Sequence, residues 1–106
     1  MSYVIAMTTV GGRDDADVIS RALVSERVAA CVQSVPIGSV YRWNGEVQVE
    51  TEILLLIKTT GDAVDRLQQW VRDHHPYETP EFLVVPVSSG LVAYLQWMDE
   101  QTALPV

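Results

Sequence analysis

The chain is poor in several residue types that make a function easy to read. Across 106 residues there is one cysteine, Cys31, which excludes an internal disulfide framework. Basic residues number 7 against 14 acidic ones, for a formal net charge of −7. Such a surface repels phosphate backbones, so nucleic acid is not an expected partner. No apolar run approaches the roughly 20 residues that a membrane helix needs, and no membrane association is expected. "MSYVIAMTTV" has neither a basic leader nor a small-residue cleavage site, so the expected location is cytoplasmic. "VGGRDD" lacks the P-loop lysine and the Rossmann spacing, which leaves nucleotide binding without support. Repeats, linkers and low-complexity segments are missing as well. What remains is a single domain, residues 1–106, with 48% hydrophobic residues. That is ordinary globular composition and enough for a core.

The hydrophobic pattern is informative. "YVIAMTTV" (residues 3–10) is β-branched and apolar, as a buried strand is. Asp14 or Asp15 is placed to cap a helix whose stripe is Val18, Ile19, Ala22 and Leu23. "VAACVQSVPIGSVYRW" reads as a second strand, bent or interrupted at Pro36 and Gly38. Asn44-Gly45 is a strong hairpin signal, because both central residues of a type I′ turn need positive φ. Beyond it, Val47, Val49, Thr51 and Ile53 share one face and Glu46, Gln48, Glu50 and Glu52 the other. "ILLLI" then implies burial on both faces. Asp62 is placed to cap a helix striped by Val64, Leu67, Trp70, Val71 and His74, which Pro76 ends. "EFLVVPV" reads as a buried strand, and "GLVAYLQWMDE" as a last helix with Leu91, Tyr94, Leu95 and Met98 on one side.

The order is βαββαβ plus a C-terminal helix: an α+β, ferredoxin-like split βαβ arrangement. One feature does not fit a lone subunit. The strand from Glu46 to Thr60 would reach on the order of 50 Å at about 3.3 Å per residue. The radius of gyration of a compact 100-residue domain is only about 13 Å. The hairpin must therefore project beyond its own sheet, where its bare edges invite pairing with other copies.

"SERVAACVQSVPIGSVYRWNGEVQVETEILLLIKT", followed by "HHPYETPE" and "YLQW", resembles the CutA1 (divalent-cation tolerance) family over nearly the whole chain. The resemblance implies a subunit similar to the PII signalling fold, assembled as a homotrimer through long hairpins. It also implies a link to copper and other divalent cations, with no catalytic reaction and no required cofactor. Around an inter-subunit cleft it places Cys31, Trp43, Lys58, Tyr77 and Glu78, and it offers His74 and His75 as metal ligands. Thr8 stands where some members carry a cysteine, which removes a soft ligand and weakens Cu(I) preference.

Each candidate also has a plain structural reading. His74 follows Trp70 and Val71 by four and three residues, so its ring shares their apolar face at a helix C-terminus. His75 points about 100° away and is the freer ligand for Cu²⁺. Adjacent histidines on regular helix cannot readily chelate one ion. Tyr77 and Glu78 sit between Pro76 and Pro80, in a rigid stretch that suits a pocket or a plain turn. Cys31, within "VAACV", fits a small buried hydrophobe. Glu46, Glu50 and Glu52 fit edge protection or, around a symmetry axis, a site for hard cations. Trp43 beside the turn is exposed unless a neighbouring subunit covers it, so it is expected at the trimer interface. Three functions compete: a trimeric cation-responsive protein, which the resemblance favours; an enzyme using Cys31, His75, Tyr77 or Glu78; and an assembly module.

Overall fold

The computed structural model describes residues 2–105. Its elements run β1 (Tyr3–Val10), α1 (Arg13–Ser25), β2 (Cys31–Trp43), β3 (Glu46–Thr60), α2 (Val64–His74), β4 (Leu83–Pro86) and α3 (Val92–Thr102), with a 3₁₀ turn at Gly61–Ala63 before α2. The four strands form one antiparallel sheet in the order β2-β3-β1-β4. This is the ferredoxin-like α+β arrangement expected from the order of elements. Among the described residues no helix is long and apolar enough to cross a membrane.

The hairpin follows its turn. Asn44 and Gly45 both have positive φ, 51° and 79°, and the two-residue turn sets Trp43 opposite Glu46. From there the ladder runs without a break to Cys31 opposite Lys58. The expected interruption at Pro36 and Gly38 is absent, because β2 is an edge strand. A proline there need only turn its missing N–H toward solvent. The arm projects as its length required: the principal extents are 46, 27 and 21 Å.

Strand alternation sorts the sheet into two unlike faces. Ala6, Val10, Leu55 and Ile57 meet Ala16, Ile19 and Leu23 of α1 and Leu67 and Val71 of α2 in the main core. On the other face α3 covers only one end. There Tyr3 donates its hydroxyl to Asp99 at 2.6 Å, and the Thr60 and Thr102 hydroxyls lie 3.3 Å apart. Arg27, at φ 59° just after α1, donates to the carbonyls of Gln101 and Ala103 at the end of α3. That cation meets the negative end of the helix dipole and holds α3 down.

Several expectations fail, some of them because the second face has little to cover it within the subunit. Leu54 and Leu56 are only half-buried, so "ILLLI" is not enclosed on both sides. Leu83, Val84 and Val85 of the expected buried strand are exposed, and Leu91, expected on one side of the last helix, caps that helix and is 81% exposed. On α1 the buried stripe is Ala16, Ile19 and Leu23, and Val18 faces solvent. Gly12, not an aspartate, occupies the N-cap; Asp14 and Asp15 lie in the first turn, where the dipole favours them. Asp62 sits within the 3₁₀ turn and makes no side-chain cap.

Thr8 lies on the core face, opposite Leu55, with its side chain fully buried and its hydroxyl without a partner. A cysteine there would face the core, so Thr8 bears on packing and not on copper preference. Thr8→Val keeps the shape and removes the unpaired polar atom. It is expected to raise the unfolding free energy by about 1–2 kcal/mol in urea melts; a loss of stability would show that the hydroxyl has a partner.

A candidate ligand cleft

The segment "DHHPYETPE" leaves α2 by a sharp change of backbone. His75 is the first residue past the helix, extended at φ −69° and ψ 136°, with its N–H still bonded to the Val71 carbonyl at 3.0 Å. Pro76 cannot continue the helix, and the chain crosses to the open face of the sheet. His75 Nε2 lies 2.8 Å from the Thr9 carbonyl, which can only accept, so Nε2 carries the proton. Nδ1 then accepts the backbone N–H of Tyr77 at 3.1 Å. One neutral tautomer satisfies both contacts. Burial pushes the imidazole below its ordinary value, which keeps that neutral form.

Tyr77 stands beside this ring, 4.9 Å between centroids, and donates its hydroxyl to Glu52 at 2.8 Å. Glu52 is only 8% exposed, unusual for a carboxylate. Its burial pushes the carboxyl up. The hydroxyls of Ser39, Tyr77 and Thr9 together outweigh that and hold the group below its ordinary value. The Tyr77 phenol moves the opposite way, well above the ordinary range, through burial and its bond to Glu52. Two positions along β3, Glu50 accepts the Tyr41 hydroxyl at 3.0 Å. Between the hairpin arm and residues 77–81 these side chains line a cleft of about 810 Å³, with Trp43, Glu78 and Glu81 completing its wall.

The resemblance placed Trp43, Tyr77 and Glu78 around an inter-subunit cleft, and in the subunit all three line this cleft. Cys31 and Lys58 are elsewhere. They face each other across β2 and β3, with Lys58 Nζ 5.7 Å from the centre of the Tyr94 ring. Six residues of β3 separate Lys58 from Glu52, about 20 Å. The cleft residues expected together thus form two groups within a subunit. The roles of the two histidines are also reversed. His74 is the exposed one: its ring stacks on Trp70 at 4.4 Å and its Nδ1 lies 2.9 Å from the Trp70 carbonyl, leaving Nε2 free. His75 has both nitrogens engaged. Among the described residues no three His, Cys, Asp or Glu side chains are grouped to hold a metal ion.

Glu50 and Glu52 were weighed with Glu46 as edge protection or a hard-cation site; Tyr41 was not singled out, although the signal was present. The two-residue turn fixes the register, so Ser39 falls opposite Glu50 and Tyr41 diagonally beside it. The burial of Glu52 had no signal, because it depends on where residues 75–81 return to the sheet.

Comparison with known proteins gives a consistent family. Residues 4–101 match the CutA1 divalent ion tolerance protein family. A divalent-cation tolerance protein CutA of Thermus thermophilus is 44% identical over 99 residues, covering 92% of this chain and 96% of that one. Human protein CutA is 41% identical over 98 residues; the match takes in 92% of this chain but 55% of the human protein. The CutA structure from Synechococcus elongatus superposes with a TM-score of 0.94 at 38% identity, over 96% of this chain and 91% of that one. The chain belongs to the CutA1 divalent ion tolerance family.

Proposed function

We propose that this protein is a homotrimer without enzymatic activity that binds divalent cations in the cleft, and that its part in cation tolerance rests on this binding. The observation that carries the reading is Glu52. It is an almost fully buried carboxylate held by hydroxyl groups, lining a cleft with no cationic side chain. The one ion pair among the described residues, Arg13 with Asp17, lies on another element. The hydroxyls keep it as the anion but do not neutralise it, so its charge is left to attract a cation entering the cleft. No histidine meets the thiol of Cys31 in the subunit, where Cys31 lies opposite Lys58 and both nitrogens of His75 are engaged. The trimer rests on the projecting arm and the uncovered sheet face, where a neighbouring copy would also enclose Cys31 and Lys58.

The cations held in the cleft are hydrated and bound weakly, because its carboxylates do not converge on a point. Copper has a second place to bind, outside the cleft, where His74 keeps one imidazole nitrogen free. Calorimetric titration with Mg²⁺, Zn²⁺ and Cu²⁺ tests both parts. Glu52→Gln is expected to weaken Mg²⁺ binding several-fold, and His74→Ala to weaken Cu²⁺ binding more than His75→Ala does. The absence of saturable binding of any divalent ion would overturn the cation reading.

A further inference from the structure

At the end of β3 opposite the hairpin turn, a second cavity of about 320 Å³ lies between Thr60, the 3₁₀ turn, α2 and the end of α3. Neither the arm nor the uncovered part of the sheet contributes to its wall. That wall carries charges of both signs, Arg66 on α2 with Asp62 and Asp99 on the flanking elements. Asp62 precedes Arg66 by four residues, a spacing at which opposite charges can meet on a helix. They do not pair: the one ion pair among the described residues is Arg13 with Asp17. Each charge is instead held by neutral groups. Arg66 donates from Nη1 to the Arg27 carbonyl at 3.4 Å and from Nη2 to the Thr102 carbonyl at 3.2 Å. A guanidinium has five N–H groups, so it keeps donors to spare. Asp99 accepts the Tyr3 hydroxyl on Oδ2 at 2.6 Å, and its Oδ1 is buried without a partner. Opposite charges are thus fixed around one small space without neutralising each other.

We propose that this cavity binds a small aliphatic α-amino acid, its carboxylate on Arg66 and its ammonium group on Asp62, with Asp99 adding negative charge behind. The planar guanidinium fork matches a carboxylate, and the ammonium brings the N–H donors that a carboxylate side chain accepts. An anion alone would be repelled by the two aspartates, and a cation alone by Arg66. An amino acid carries both charges on one carbon and meets both demands. Because its partners are already held in place, little ordering is lost when it binds. The volume is at the small end for ligand sites, which suits a molecule of this size. Leu104, 57% exposed on the same wall, offers apolar contact to an aliphatic side chain. The site is separate from the cation cleft and does not rest on that reading.

L-Leucine is the probe, titrated calorimetrically into the native protein at neutral pH. Isocaproate and isoamylamine, the same skeleton lacking the ammonium and the carboxylate in turn, are titrated in parallel. The expected result is one saturable leucine site per chain, with each analogue weaker by at least about tenfold, as for the loss of a charge-assisted contact. Arg66→Gln and Asp62→Asn should each weaken leucine binding by about tenfold. Asp62 is exposed, so its replacement does not endanger the fold. Arg72→Gln, exposed in the last turn of α2, changes the net charge as Arg66→Gln does and should leave the site unaltered. Leucine and isocaproate binding alike would show an anion held by a lone arginine and would overturn the proposal. Equal weakening by Arg72→Gln and Arg66→Gln would show diffuse attraction, with the same consequence. The proposal also falls if leucine shows no saturable binding to the native protein.

Discussion

Val49→Asp is expected to convert the proposed trimer to monomers. Val49 lies opposite Val40 across the hairpin, and the two are 76% and 71% exposed, with Val47 beside them also open to solvent. They share the strand face that buries Leu55 and Ile57 further along β3, but here the helices no longer reach. An apolar, β-branched patch on a projecting ribbon is an unstable arrangement in water, and another copy of the chain is its natural cover. Within an isolated subunit the aspartate is exposed, and surface changes of this kind usually alter stability by no more than about 0.5 kcal/mol. At an interface the same carboxylate would be desolvated without a partner. A penalty of about 3 kcal/mol per contact corresponds to roughly a hundredfold in each association step. Sedimentation equilibrium at micromolar concentration should therefore give three chains per particle for the native protein and one for the variant. Val18→Asp, on an exposed position of α1 away from the arm, should leave the mass unchanged. A native protein sedimenting as a single chain, or a variant that stays trimeric, would rule out this face as the interface. The variant should also melt at a lower temperature, since unfolding of the native trimer must first break its contacts.

What could be read in the sequence was what depends on neighbours along the chain. Asn44-Gly45 set the hairpin register, and that register placed Trp43, Tyr41 and Glu50 on one face. The stripe of Leu67 and Val71 with Pro76 gave α2 and its end. Misreadings arose where a residue's surroundings are not decided by its own segment. Leu54, Leu56 and Leu83 are apolar enough to read as core, yet in the subunit they lie on the face that only α3 partly covers. The histidine pair failed differently. Helical spacing was applied to both rings, but the helix ends between them: His74 keeps helical geometry and stacks on Trp70, while His75 takes an extended backbone and swings to Thr9. A local rule was sound up to the residue where the backbone changed. Cys31 and Lys58 could be paired with Tyr77 only by resemblance, since about 20 Å of β3 lies between those sites in one chain.

His75 is expected to be the cleft's structural pin, with an effect on stability that changes with pH. Its Nε2–H holds β1 through the Thr9 carbonyl, and its Nδ1 holds the returning chain through the Tyr77 N–H. Tyr77 in turn reaches Glu52. His75→Ala removes two hydrogen bonds and the ring packed against Tyr77, so a loss of about 2–3 kcal/mol is expected at neutral pH. Protonating Nδ1 would replace an acceptor with a donor facing the Tyr77 N–H, so the folded state resists the charge, and burial adds to that resistance. In the unfolded chain the imidazole takes up its proton near 6.5, the ordinary value, and in the folded one only at lower pH. Between those two points the unfolded state binds more protons, so stability falls as pH falls below about 6.5. Glu52 acts in a separate window. Its folded value is depressed, so its contribution is present above 4.5, the ordinary value, and is lost as pH falls through the lower folded one. Urea unfolding at fixed chain concentration, followed from pH 8 to pH 5, isolates the histidine from the carboxylate. The native protein should lose stability across the lower half of that range, and His75→Gln, which cannot titrate, should show a flatter profile. Parallel curves for the two proteins would mean that the ring can be protonated in place, and that it does not pin the segment to the sheet.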